Sequence, residues 1–488
     1  MKKSIAKNYI YNLSYQILVL ILPLITAPYI SRVLGPENIG VYSYTISIAT
    51  YFILFGSLGI AMYGQREIAY MQNKPEKYSK AFWEIIILRF ITMVFSMIIF
   101  YFNFVRLNQY HVYYAILLLE LFANCLDISW FFQGLEEFKK TVIRNIIVKI
   151  ISIICIFIFV KTKNDLVKYF WIYVLSTILG NVSLWIYLPK FLRKTRMREL
   201  NIRRHIKPTI VLFIPQIATQ IYTVLDKVMI GSIITDKSEV GYYEQSQKIV
   251  KMLLTVITSL GTVMMPRMAN IYINGNNKKI QEYIRNSFNF VFFIAFPMMF
   301  GIIAIANNFV PLFFGPGYEK VTLLISVISP ILIAIGLSNV IGTQYLLPTK
   351  RQKEFTVSVV IGAIVNFIIN VMAIKKYGAL GASIGTVIAE ITVTIVQFVF
   401  IRKDINIKKI FILSIKYLLS SVAMFIVCIT IGKKINMNIY SIILQVSAGA
   451  ITYFICLLIL KDEFLYKILN RIKMKFDKGE QLWKIMII

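Results

Sequence analysis

Histidine and cysteine are scarce in this 488-residue chain. There are two histidines, His111 and His205, and four cysteines, Cys125, Cys155, Cys428 and Cys456. Each cysteine lies in an apolar run, and no two share the short spacing of a ligand pair, which argues against a zinc site and a disulfide framework. A glycine-rich phosphate loop, a metal-binding helix motif and a nucleophile elbow are all missing, which removes the common hydrolase and ATPase chemistries. Acids are few as well, 23 against 53 Lys and Arg. No loop expected outside the membrane is long enough to form a catalytic domain, so the chain does not read as an enzyme.

What is abundant is apolar residues. They make up 58% of the chain, and the mean hydropathy is +0.70. Soluble domains hold about 45–50%, so lipid must be the solvent here. The net charge of +30 then reads as loops lying against an anionic cytoplasmic leaflet rather than as a nucleic-acid surface. A spanning helix needs about 20 apolar residues. That length predicts an all-α membrane protein with fourteen spans, near 9–31, 39–62, 81–104, 110–133, 142–160, 166–189, 209–234, 243–266, 284–306, 321–347, 356–374, 379–401, 411–432 and 439–460. Lys2, Lys3 and Lys7 precede the first span, which is too long for a signal peptide and is read as retained. Roughly two-thirds of the Lys and Arg fall in alternate loops, which places both termini in the cytoplasm. Arg32, Arg106, Lys161, Lys163 and Lys375 are among the few basic residues left on the outer side.

The loop Lys190–Lys207 carries Arg193, Lys194, Arg196, Arg198, Arg203 and Arg204, and reads as a topogenic cluster. It divides an N-lobe of six spans (1–190) from a C-lobe of six spans (209–401), with a basic linker at 191–208. Two further spans (402–460) and a basic amphipathic cytoplasmic tail (461–488; Lys467, Arg471, Lys473, Lys475) follow. An internal repeat agrees with this division. Gly40-Val41-Tyr42 recurs as Gly241-Tyr242-Tyr243, and Ser57-Leu58-Gly59 as Ser259-Leu260-Gly261. Two like-oriented halves predict a central cavity and alternating access.

Charges inside spans cost about 2.5–3.5 kcal/mol each at the helix centre, so they mark function or pairing. In the eighth span Glu244, Lys248, Lys251, Thr255 and Thr258 fall on one helical face. The second span has Ser43, Ser47, Thr50 and Ser57. The seventh has Gln216, Gln220, Thr223, Asp226 and Lys227. Asp226 and Lys251 lie at similar depth and are candidate partners. Arg89, Asp127 and Lys149 lie toward the inner side, where Arg89 or Lys149 is placed to pair with Asp127, and Glu120, Asn124 and Asp127 share a face. Arg89, Lys149, Lys227, Lys248 and Lys251 therefore outline a cationic cavity for a diphosphate-bearing ligand. Glu244, Asp226, Asp127 and Thr255 are its polar partners. For Asp226 and Asp127, interhelical pairing that only fixes packing stands equally open. Glu390, with Ser383, Thr386, Thr394 and Gln397, is either a coupling-cation site or a packed polar seam. Lys416 reads as a snorkelling residue.

Seven segments carry a family resemblance: SRVLGPENIGVYSY at 31–44, GQREIA at 64–69, LDKVMIG at 225–231, VGYYEQSQKI at 240–249, LFFGPGYEKV at 312–321, QYLLPTKRQKEF at 344–355 and YGALGASIGTVIAE at 377–390. In order and spacing they resemble the Wzx-type oligosaccharide flippases, the polysaccharide transporter family of the multidrug/oligosaccharidyl-lipid/polysaccharide exporter superfamily. Asp226, Lys227, Gly241 and Tyr243 match family-typical positions. The resemblance implies alternating-access transport of undecaprenyl-pyrophosphate-linked repeat units for capsule or O-antigen in a bacterial cytoplasmic membrane. It implies H+ or Na+ coupling without an organic cofactor or resident metal. Membrane lipids and the pathway's polymerase and chain-length proteins are the expected partners; nucleic acid is not. The alternatives are a multidrug or metabolite exporter of the same superfamily and, in a different class, a membrane polysaccharide polymerase.

Overall fold

The computed structural model describes residues 5–470, apart from 107, 436, 437 and 468; the side chains of 5–20, 214–216, 218, 219, 221–223 and 277 also lie outside it. Lys2, Lys3, Lys7, Gln216, Thr223, Arg471, Lys473 and Lys475 of the sequence reading thus fall outside the described residues. The described chain is helical throughout. Twelve of its segments are long and apolar enough to cross a membrane, and their relation to the fourteen expected spans has two simple causes. The first two spans form one continuous run, α1 (Ile5–Ser57), broken only at Gly35, whose φ of 76° suits glycine, with Pro36 next to it. The seventh span corresponds to α8 (Arg203–Ile233), several of whose side chains are not described.

The chain divides into two compact units, Met1–Glu244 and Gln245–Ile488. In the first, α1 is followed by α2 (Ile60–Tyr70), α3 (Pro75–Phe100), α4 (His111–Cys125), α5 (Ser129–Gly134), α6 (Phe138–Phe159), α7 (Leu166–Trp185), α8 and the start of α9 (Ser238–Ile273). The expected fourth span is thus two helices, α4 and α5. Asp127 sits at their junction, and its Oδ1 accepts from the Ser129 amide at 2.9 Å and hydroxyl at 2.6 Å. An aromatic core of Phe82, Trp130, Phe131 and Phe132 fills the space between α3 and α5. Gly64 lets α2 approach it: a Cβ there would lie 2.4 Å from the Trp130 ring.

In the second unit the rest of α9 is followed by α10 (Asn277–Phe314), α11 (Glu319–Ile328), α12 (Ile331–Ile341), α13 (Gln352–Tyr377), α14 (Ala379–Ile401), α15 (Ile407–Lys434) and α16 (Ile439–Ile459). The expected tenth span is broken into α11 and α12 at Ser329–Pro330, where proline removes a backbone donor. Helix α10 packs on α12, α15 and α16, and α13 pairs with α14. Small residues permit that last contact. A Cβ on Gly381 would lie 2.5 Å from the Ala373 backbone, and one on Gly362 2.3 Å from Val393.

Candidate functional site

Within the first unit, α1 and the start of α9 cross at a glycine pair. A Cβ on Gly40 would fall 1.7 Å from the Lys237 carbonyl oxygen, and one on Gly241 2.1 Å from the Pro36 carbonyl oxygen. Only glycine at both positions allows backbone to meet backbone. One turn further, Ser43 Oγ donates to Glu244 Oε2 at 3.1 Å, and Lys227 Nζ pairs with the same oxygen at 3.1 Å. The Tyr243 hydroxyl donates to Asp226, which is 5% exposed. Tyr44 packs on Gly231 and meets the Ser232 hydroxyl at 3.3 Å. Lys237 closes the end of α8, donating to the carbonyls of Gly231 and Ile234 at 2.7 and 2.9 Å. Four expected residues thus pair between α8 and the start of α9, Tyr243 with Asp226 and Lys227 with Glu244, and the second pair is tied to α1 through Ser43.

A second polar region lies among α3, α4, α6 and α7. Arg89 is 2% exposed. Its Nη2 is 3.7 Å from Asp127 Oδ2, while Nε and Nη1 are buried with no partner. Asp127 is also engaged by Ser129. The guanidinium is therefore incompletely neutralised and incompletely hydrogen-bonded, which is costly in an interior. Glu120, 4% exposed, takes the Asn124 amide at 3.3 Å, and its Oε2 has no hydrogen-bond partner. Tyr173 and Thr177 of α7 lie beside it, and the Tyr42 ring lies tilted against Tyr169 and edge-on to Tyr173, with centroids 4.6 and 6.0 Å away. Arg144 donates to Asn181 Oδ1 at 3.0 Å, and Asn181 in turn donates to the Ala123 carbonyl at 2.7 Å. Lys149 is half-buried on α6; the structure pairs Asp127 with Arg89 instead.

One buried constellation was not anticipated. Glu84 of α3 is fully buried and binds Arg204, the His205 imidazole at 2.8 Å and the Asn201 amide at 2.7 Å. His205 Nδ1 meets the Tyr63 hydroxyl at 2.6 Å. Burial pulls the imidazole below its ordinary pKa, against the opposing pull of Glu84. The Phe191 carbonyl accepts from Tyr78, and the Arg193 amide donates to Ser79 at 2.9 Å. The basic linker is thus a docked strap as well as a charge cluster. A lone acid in the apolar run around Glu84 was the available signal.

In the second unit α9 carries Lys248, half-buried, and Lys251 and Thr255, both exposed. Thr255 spends its hydroxyl on the Lys251 carbonyl at 3.0 Å. Gln245, Ser246 and Gln247 are buried, an unforeseen polar run on the same helix. Glu390 of α14 is 8% exposed within a seam of carboxamides and hydroxyls. Thr394 donates to the carbonyls of Ala334 and Glu390 at 2.8 and 2.9 Å, Gln397 to Ser358 at 3.1 Å, and Asn370 to Asn366 at 3.2 Å. No group of three His, Cys, Asp or Glu is arranged to hold a metal ion among the described residues.

Two family descriptions match the chain: polysaccharide biosynthesis protein over residues 5–272 and MatE over residues 212–372. The chain is 25% identical over 408 residues to the "Putative O-antigen transporter" of Escherichia coli (strain K12), covering 83% of this chain and 98% of that one. It is 22% identical over 406 residues to the "Capsular polysaccharide biosynthesis protein CapF" of Staphylococcus aureus, covering 81% and 99%. Its fold is similar to lipid II flippase MurJ in an inward closed conformation, with a TM-score of 0.72, 18% identity and 94% of this chain and 100% of that chain covered. It is also similar to an inward-facing multidrug resistance MATE family transporter of the MOP superfamily, with a TM-score of 0.62, 14% identity and 83% and 98% covered. At such identities these structures show the shared fold. The family match extends over more than half of the sequence and both relatives are covered almost end to end, so the chain belongs to the polysaccharide biosynthesis protein family, a family of multi-pass membrane transporters and not of enzymes.

Proposed function

We propose that this protein moves undecaprenyl-pyrophosphate-linked oligosaccharide repeat units from the inner to the outer leaflet of a bacterial cytoplasmic membrane. Both termini face the cytoplasm, and the cycle is alternating access between an N-lobe and a C-lobe, coupled to a H+ or Na+ gradient. The observation that carries the reading is Arg89, a buried guanidinium with two unpartnered nitrogens and a single, shared carboxylate at 3.7 Å. Such a group favours an added anion with several acceptor oxygens, and a diphosphate is one. Lys149, Lys227, Lys248 and Lys251 extend the cationic lining, with Glu244, Asp226, Asp127 and Thr255 as its polar partners. Glu390 is the acid we assign to gradient coupling. The relatives named for O-antigen and capsular polysaccharide point to the same substrate class. Membrane lipids surround the transporter, and the polymerase and chain-length proteins of the pathway act on what it delivers.

The test is a Lys248→Ala/Lys251→Ala double variant and, separately, Arg89→Gln, each in a strain whose surface glycan depends on this gene. Loss of surface glycan with normal protein in the membrane is expected. Normal glycan in both strains would sink the cavity assignment. In proteoliposomes an imposed proton or sodium gradient should change the flipping rate, and indifference to both would remove ion coupling.

A further inference from the structure

A cavity of about 600 Å³ lies in the second unit, where the start of α10 meets the loop between α14 and α15. Four cations line it: Arg285, Arg402, Lys403 and Lys409. All four are exposed, and none takes part in an ion pair among the described residues. The acid beside them, Asp404, is already committed to Arg351, whose Nη1 lies 2.5 Å from its Oδ2. Arg351 is fixed in turn by the Phe400 carbonyl at 3.0 Å and by Glu354 at 3.0 Å. Gln281 donates to the Asp404 carbonyl at 3.2 Å, which ties α10 to the loop. Asn406 caps α15 by accepting from the Lys409 amide at 3.1 Å, so the positive end of that helix adds to the same field. Apolar Ile407, Ile410 and Leu413 complete the lining.

A topogenic charge cluster needs only a count of Lys and Arg in a loop. It does not need cations from two helices, α10 and α15, and the loop before α15 gathered around one cavity, nor a neighbouring carboxylate held away by an arginine. Four like charges brought together without a counter-ion repel one another, and an anion relieves that. On the orientation read from the basic loops, this end of the unit faces the cytoplasm, where anionic lipid is concentrated. The cations are exposed while Ile407 and Leu413 are half-buried and Ile410 is buried, an order that follows the order of groups in a phospholipid. We infer that this cavity binds the phosphate headgroup of an anionic membrane phospholipid, with the upper part of an acyl chain along Ile407, Ile410 and Leu413. The site is separate from the one assigned to the transported lipid, and its test reads binding, not transport.

The full chain, purified in mild detergent, is titrated with phosphatidylglycerol or phosphatidylcholine, and bound lipid is counted by native mass spectrometry. Phosphatidylglycerol should be retained in preference to phosphatidylcholine. An Arg285→Gln/Arg402→Gln/Lys409→Gln variant should bind phosphatidylglycerol more weakly by on the order of a hundredfold, from three cations at a charged surface. Phosphatidylcholine binding should not change. Arg285→Lys/Arg402→Lys preserves charge and should keep most of the binding, which separates lost charge from misfolding. Equal retention of the two lipids by the unmodified chain, or unchanged phosphatidylglycerol binding by the triple variant, overturns the proposal. So does saturation by millimolar inorganic pyrophosphate with no preference for anionic lipid, since the cavity would then serve a free anion.

Discussion

Replacing Gly241 with alanine tests the crossing of α1 and α9 directly. The added Cβ would sit 2.1 Å from the Pro36 carbonyl oxygen, against the 3.4 Å at which ordinary contact begins. The deficit is 1.3 Å, and the obstructing atom is backbone, so no rotamer change relieves it. The crossing must open, which also stretches the Ser43–Glu244 bond one turn away. Overpacking of this kind costs about 1–3 kcal/mol, and a weakened hydrogen bond adds about 1 kcal/mol. For a unit of some 240 residues that lowers the unfolding midpoint by roughly 4–16 °C. Gly40→Ala, with its Cβ 1.7 Å from the Lys237 oxygen, should cost at least as much. Gly301→Ala is the control. It lies in α10 with only the Met424 Cε nearby, at 3.7 Å, and helix propensity favours alanine by about 1 kcal/mol. Thermal unfolding of the purified variants in one detergent ranks them. If Gly241→Ala melts with the unmodified protein while Gly301→Ala behaves as described, the close backbone crossing is wrong.

Two further outcomes follow from buried charges. Glu84→Ala leaves the His205 ring and the Asn201 amide without their acceptor, at a cost of about 3–5 kcal/mol, and should speed tryptic cleavage of the linker between Arg193 and Arg204; Glu84→Gln, which keeps an acceptor, should be milder, and equal cleavage in all three proteins would show that the strap is not held there. Lys416→Met removes the cation bound to the fully buried Asp462 and should destabilise the protein by about 3 kcal/mol; in a double-mutant cycle with Asp462→Asn the losses should be strongly non-additive, and additive losses would mean the pair contributes nothing.

Much of this architecture is written in local sequence. Apolar run length reports the spans, and the periodic face of Glu244, Lys248 and Lys251 reports a polar stripe, because both depend on neighbours within a few turns. Partners are a different matter. Glu84 and His205 are 121 positions apart, and no periodicity relates them, so the linker read as a topogenic cluster when it is also docked. The same limit explains Asp127. Its face on α4 was legible, but its hydrogen bonds from Ser129 at the start of α5 depend on a helix break that the apolar run conceals. Lys416 read as snorkelling because its partner follows the last span, 46 residues later in a turn that hydropathy treats as tail.

The internal repeat links the two kinds of information. Gly40 and Gly241 are equivalent in sequence, and they are also the two residues that meet. Ser43 and Glu244 stand at the same separation of 201 positions and hydrogen-bond to each other. Repeat-equivalent positions thus face each other where α1 crosses the start of α9, within the first unit. That location constrains chemistry. At this crossing a residue faces its repeat counterpart, so an acid at both positions would face an acid at hydrogen-bonding distance, and like charges so close cannot both ionise. The carboxylate has to belong to one copy only, with a neutral donor opposite. Ser43 against Glu244 satisfies that condition. Lys227 then neutralises Glu244 from the copy that already holds it, which leaves the first copy free of charge at this level. Divergence of the two halves at this crossing therefore follows from electrostatics, independent of whatever substrate the protein carries.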